Sequence, residues 1–152
     1  MTMSAEQVFS ISNSVALLGW VILLVLGPKR WAASLVSGAI LPLGFAVLYA
    51  GLILAHWGGT KGGFGSLASV GEIFSSQWLL LAGWVHYLAF DLFIGSWQVR
   101  DAREKGIPHL LVLPSLILTF LFGPVGLLLY FVVRCARSRS LDLWIISPRR
   151  TA

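Results

Sequence analysis

The 152-residue chain is 57% hydrophobic and only 11% charged, with a mean hydropathy of +0.85, a composition that excludes an ordinary water-soluble domain. Its net charge of +5 does not point to nucleic acid, because the basic residues collect in connections and at the tail beside apolar runs, where lipid head groups are the natural partners. The single cysteine, Cys135, excludes an intramolecular disulfide framework and cannot alone hold zinc or an iron–sulfur cluster.

Four apolar windows predict an all-α integral membrane bundle of four transmembrane helices, forming one domain over residues 1–152. The first window covers about 8–27; at about 1.5 Å per residue, twenty residues match the roughly 30 Å hydrocarbon core. Residues 1–7 contain Glu6 and no Lys or Arg, so this window reads as a retained span rather than a cleaved signal peptide. Gly27-Pro28-Lys29-Arg30 is a turn with basic anchors, and Trp31 suits the interface, as do Trp20, Trp57 and Trp144 by position. The second span, about 32–55, carries Pro42 and Gly44, which predict a kink in its middle.

Residues 57–65, WGGTKGGFG, lack the spacing of a phosphate loop and read as a flexible connection. Leu67, Val70 and Phe74 then fall at helical spacing, which predicts a short amphipathic segment in the interface between the second and third spans. The third span is about 77–97, followed by a loop from 98 to 108 containing Arg100, Asp101, Arg103, Glu104 and Lys105. The fourth span is about 109–133, with Pro114 and Gly123-Pro124 inside it. In the basic tail, 134–152, Leu141, Leu143, Trp144, Ile145 and Ile146 are expected to dock on the membrane surface while Arg149 and Arg150 stay in water. Four spans put both termini on one face, with six Lys or Arg on that face (Lys61, Arg134, Arg137, Arg139, Arg149, Arg150) and five on the other (Lys29, Arg30, Arg100, Arg103, Lys105). That near balance does not set an orientation.

Chemistry is sought in the third span. A carboxylate in the middle of a spanning helix costs about 2.5–3.5 kcal/mol on insertion scales, so Asp91 needs a reason to be there. It is either a polar clasp between helices or a site for protons, ions or substrate. His86, five residues earlier, stands about 140° away in azimuth and about 7.5 Å away in height, so the pair does not share a face; Tyr87 does share one with Asp91, and Trp84 precedes it by three. Counted by depth, Asn13 of the first span falls near His86, Ser115 of the fourth falls near Asp91, and Thr119 falls near the midplane. Any of them can hydrogen-bond across helices. His56 and His109 lie at opposite span ends, so no two histidines are matched for haem, and no metal or other cofactor is expected. Trp84, Tyr87, Phe90, Phe93 and Trp97 lie close enough to His86 and Asp91 to line a slot for a polyene or another flat lipid.

The run Trp84-Val85-His86-Tyr87-Leu88-Ala89-Phe90-Asp91-Leu92-Phe93, followed by a basic loop and then Phe122-Gly123-Pro124-Val125-Gly126, resembles the neoxanthin-synthase-like membrane proteins, the abscisic-acid-deficient-four-like family. The resemblance extends over nearly the whole chain in organisation. It implies a carotenoid or other isoprenoid as ligand, and isomerisation of an epoxide-bearing end group to an allene without a redox cofactor. Such a reaction needs an acid at the epoxide oxygen and a base for a vinylic proton, and His86 and Asp91 are the pair it implies, in either order. The alternatives are a non-catalytic carotenoid- or lipid-binding protein, a purely structural bundle, and a proton-coupled transporter, to which an oligomer would add bulk. With the first span starting almost at the amino terminus and no Ser/Arg-rich leader ahead of it, a bacterial plasma membrane is the expected location.

Overall fold

The computed structural model describes residues 3–138, and every regular element in that range is helical. The expected docking of Leu141, Leu143, Trp144, Ile145 and Ile146 lies outside the described residues. Helix α1 (Ala5–Leu26) opens with a capping box: Ser4 Oγ accepts from the Gln7 N–H at 3.2 Å and Gln7 Oε1 accepts from the Ser4 N–H at 2.9 Å. It stops at Gly27-Pro28.

The second span is wound in two ways. Residues Ala32–Ile40 form a π-helical stretch that continues as α2 (Leu41–His56). Pro42 has no N–H, and its ring excludes the carbonyl of the residue four before it, so the chain upstream is wound one residue wider. The Leu41 N–H accordingly reaches Val36 O. A distributed widening thus takes the place of the expected local kink. Ser96 Oγ donates to Ala33 O inside this stretch, which satisfies a carbonyl where regular pairing is disturbed.

A turn of 3-10 helix (Trp57–Gly59) and the glycine-rich connection lead to α3 (Leu67–Phe74), capped by Ser66, whose Oγ accepts from the Ser69 N–H at 3.1 Å. This is the expected amphipathic segment, although Phe74 holds it to α4 at Gly83 and Ile73 is buried against Gly62 of the connection while Leu67 is exposed. Helix α4 (Gln77–Glu104) is longer than predicted: Gln98, Arg100, Asp101, Arg103 and Glu104, expected in a loop, form its last turns. It touches every other helix and is the axis of the fold.

In place of a continuous fourth span there are two short helices, α5 (His109–Phe122) and α6 (Pro124–Ser138). The chain turns between them at Gly123, whose φ of 44° and ψ of −94° suit a residue without a Cβ. Helix α6 then runs back along α5. Gly126 lies so close to Thr119 and Ser115 that any side chain there would collide with them. Trp97 meets the rings of Tyr130 and Phe131 at 5.4 and 5.8 Å, and Arg134 reaches Asp101 near the end of α4. The pair is therefore a hairpin whose tip reaches the level of Asp91 and whose two open ends lie beside the last turns of α4.

Among the described residues, three helical stretches are long and apolar enough to cross a membrane, Ala5–Leu26, Ala32–Gly59 and Gln77–Glu104, so the expected four crossings are not confirmed. The packing is that of a protein whose solvent is lipid. Leu54, Leu110 and Val47 are 86%, 77% and 75% exposed, whereas Ser12, Ser37, Ser96, Gln98, Ser115 and Thr119 are buried between helices. Trp20, expected in an interfacial belt, is buried against Gly95, where the missing Cβ leaves room for its ring.

With the hairpin turned back, the two ends of the described chain lie at opposite ends of the bundle. Among the described residues, Lys61 is then the one basic side chain at the Ser4 end, while Lys29, Arg30, Arg100, Arg103, Lys105, Arg134 and Arg137 sit at the other. The predicted near balance of basic residues therefore does not hold.

Candidate functional site

A groove of about 590 Å³ lies between α1, α3 and α4 at the Ser4 end of the bundle. This is within the usual size of a small-molecule site. One stripe of α4 supplies its floor, through Gln77, Leu80, Trp84 and Tyr87 at helical spacing. Helix α1 contributes Glu6 and Phe9, and α3 contributes Phe74, which lies over Gly83 where a side chain would block it. The groove is thus aromatic along its length, with Phe9 to Trp84 at 5.7 Å and Trp84 to Tyr87 at 5.3 Å between ring centres. Trp84 Nε1 donates to Asn13 Oδ1 at 2.7 Å and holds the indole in place.

Along α4 the lining ends at Tyr87, one turn short of Asp91. The Tyr87 hydroxyl donates to Phe120 O at 3.0 Å. That carbonyl would ordinarily pair with the N–H four residues on, which is Pro124 and has none, so the tyrosine replaces a bond the helix cannot make. Asp91 is half-buried with its carboxylate against Gly123: a Cβ there would stand 2.9 and 3.0 Å from its two oxygens. Asp91 Oδ2 is buried and has no hydrogen-bond partner. The end of the groove therefore holds a phenol, a carboxyl group and the hairpin tip within one helical turn.

Of the residues expected in the site, Trp84 and Tyr87 line the groove, Asn13 holds Trp84 by its hydrogen bond, and Asp91 lies just beyond. His86 does not join them. It is exposed on another side of α4, stacked on Phe90 at 4.6 Å and near Tyr49 of α2 at 5.5 Å. Phe90 and Phe93 are likewise exposed, and Trp97 packs on the hairpin. Ser115 and Thr119 hold the hairpin together: Ser115 Oγ donates to Val112 O at 2.7 Å, and Thr119 Oγ1 donates to Ser115 O at 2.8 Å while accepting from Gln98 Nε2 at 2.9 Å. His56 stacks on Trp78 at 4.8 Å, and His109 Nε2 lies 2.9 Å from Leu24 O.

Sequence reasoning missed Phe9, Phe74 and Gly123 as parts of the site, and Asp101, Tyr130 and Arg134 as the clamp at the hairpin base. Asp101 Oδ2 accepts from Tyr130 Oη at 2.6 Å and from Arg134 Nε at 2.8 Å, all three being buried. The four-residue spacing of Tyr130 and Arg134, which places both on one helix face, was the available signal.

A family model described as ABA DEFICIENT 4-like matches residues 7–130, which is most of the chain. The chain belongs to this family. The matched range includes Asp91, the hairpin as far as Tyr130 and the groove lining apart from Ala5 and Glu6. The chain is also 28% identical over 142 residues to Protein ABA DEFICIENT 4, chloroplastic, of Arabidopsis thaliana, covering 88% of this chain and 63% of that protein's length. The relative is a chloroplast protein, so the expected bacterial plasma membrane finds no support, while three crossing-length apolar helices agree with a membrane location. No solved structure matches the chain.

Proposed function

We propose that this ABA DEFICIENT 4-like protein crosses the membrane three times, adds a hairpin that enters and returns, and receives the oxygenated end of a carotenoid or related isoprenoid in the groove between α1, α3 and α4. The observation that carries this reading is an aromatic groove ending at Tyr87 with Asp91 one turn beyond. A volume of about 590 Å³ suits one end group, with the polyene running out into lipid. The reaction is isomerisation of an epoxide end group. The C–O bond opens as a proton passes to oxygen, a vinylic C–H yields a proton to the partner group, and no electrons leave the substrate. Tyr87 and Asp91 are the two groups placed to exchange that proton.

His86 is kept as a test of this assignment. Purified protein in lipid nanodiscs is given an epoxy-carotenoid and the pigments are separated by chromatography. Conversion is expected with the unaltered protein and with His86→Gln, and is expected to fall by about 10²-fold or more in Asp91→Asn, the usual scale for a lost acid or base. Full conversion by Asp91→Asn, or its loss in His86→Gln alone, would sink the assignment.

A second reading, a carotenoid- or lipid-binding membrane protein that does no chemistry, is favoured by one observation: the only proton of the Tyr87 hydroxyl is already donated to Phe120 O. Pigment that co-purifies and returns unchanged from every incubation would favour it.

A further inference from the structure

A second cavity, of about 150 Å³, lies at the other end of the bundle, where the turn after α1 meets the last turns of α4 and the start of α5. Gly27 and Pro28 form one wall, Val99 and Ala102 another, and its polar side chains are Arg103 and His109. Arg103 Nε and Nη2 are buried and have no hydrogen-bond partner. These two atoms form the side-on fork of the guanidinium, the edge that grips two oxygens of one carboxylate or phosphate in parallel. Arg103 as a whole is half-buried, and holding that edge of its guanidinium out of water without a partner is costly.

Asp101, the nearest buried carboxylate among the described residues, is committed to Arg134 and Tyr130, and Glu104 is exposed. His109 is held by Nε2 on Leu24 O, which leaves Nδ1 for other partners. Lys29, Arg30 and Lys105 lie in the adjoining turns. The space is about five times the roughly 30 Å³ share of one liquid water, enough for a tetrahedral oxyanion.

We infer that the cavity beside Arg103 binds a phosphate group, carried either by a free oxyanion or by the head of an anionic lipid. The fork takes two phosphate oxygens, and the neighbouring basic turns add attraction without contributing geometry. The site is separate from the groove at Tyr87 and does not depend on chemistry there.

The test uses the full chain in detergent micelles, with its thermal unfolding midpoint followed during titration with inorganic phosphate, with phosphatidic acid, or with a phosphate-free galactolipid. Phosphatidic acid, inorganic phosphate or both are expected to raise the midpoint saturably, and the galactolipid is not. A response to phosphatidic acid alone assigns the source to lipid, a response to inorganic phosphate assigns it to a soluble ion, and each supports the site. Arg103→Gln is expected to weaken the response at least about tenfold, the scale of a charge-assisted hydrogen bond. Arg137→Gln, at an exposed basic residue of the same end, is expected to leave it unchanged. No response to either phosphate, an equal response to the galactolipid, or equal losses in the two variants would overturn the inference. Should Arg103→Gln fail to fold, phenylglyoxal mapping of the unaltered protein decides: the phosphate ligand must shield Arg103 but not Arg137, and equal modification with and without it refutes the site.

Discussion

Two carboxylates ten residues apart on α4 face the same hairpin and meet opposite surroundings. At its base, Asp101 takes a hydrogen bond from Tyr130 and an ion pair from Arg134, and the three are buried together. At its tip, Asp91 is set against the Cα of Gly123 with one oxygen unpartnered. A satisfied buried charge holds architecture in place, and removing one partner leaves the other stranded. An unsatisfied one adds little to the fold and remains available to a ligand. The contrast teaches which acidic residue is structure and which is site, although their sequence surroundings suggested the reverse burial.

Substitutions can break or sharpen this contrast. The largest effect on stability is expected from Asp101→Ala, which removes the carboxylate that Tyr130 and the buried Arg134 share and should cost about 3–5 kcal/mol; thermal unfolding in detergent measures it, and a loss under about 1 kcal/mol would mean that the clamp does not hold the hairpin. Gly123→Ala comes next, at about 1–3 kcal/mol, because its backbone conformation is one that other residues avoid. Adding Asp91→Ala to it divides the cost by a double-mutant cycle: recovery attributes it to the carboxylate contact, and no recovery attributes it to the backbone.

Tyr87→Phe should cost about 1–2 kcal/mol, since Phe120 O then has no donor. An unchanged midpoint would show that water or another group takes the place of the hydroxyl. The smallest stability change, within about 1 kcal/mol, is expected from Asp91→Asn, although the same change should lower conversion by about 10²-fold or more. If it unfolds the protein as Asp101→Ala does, the two carboxylates are alike and the contrast fails.

The all-helical class and the first three apolar stretches were legible because hydropathy over some twenty residues is a strong signal. The end of α4 was not, since Arg100, Asp101, Arg103 and Glu104 have the composition of a loop, and only their burial against the hairpin makes helix the better solution. That error carried forward. With α4 continuing to Glu104, α5 starts about two turns further along it than the depth count assumed, so Thr119 meets Gln98 and Ser115 falls short of Asp91. The depth of Asn13 was read well, but its partner is Trp84 and not His86. The hairpin escaped notice because 109–133 is long enough to span, and Gly-Pro within an apolar run reads equally well as a kink. The angular separation of His86 from Asp91 was correctly read from helix geometry, yet nothing in the sequence said which side would be covered.

A hairpin that turns back changes how the chain enters a membrane during synthesis. Segments rich in Lys and Arg stay on the side where the ribosome works. With seven such residues at one end of the described bundle and one at the other, that rule predicts that the Ser4 end is the one carried across. The mouth of the groove, at Glu6, Phe74 and Gln77, then opens in the leaflet remote from synthesis, and an isoprenoid would enter from there. Single cysteines placed at Ser69 and at Lys105 in a Cys135→Ser background should react with an impermeant maleimide from opposite sides of sealed vesicles, Lys105→Cys from the side of synthesis. Labelling of both from one side would mean that α4 does not cross, and labelling from the reverse pair of sides would overturn the orientation.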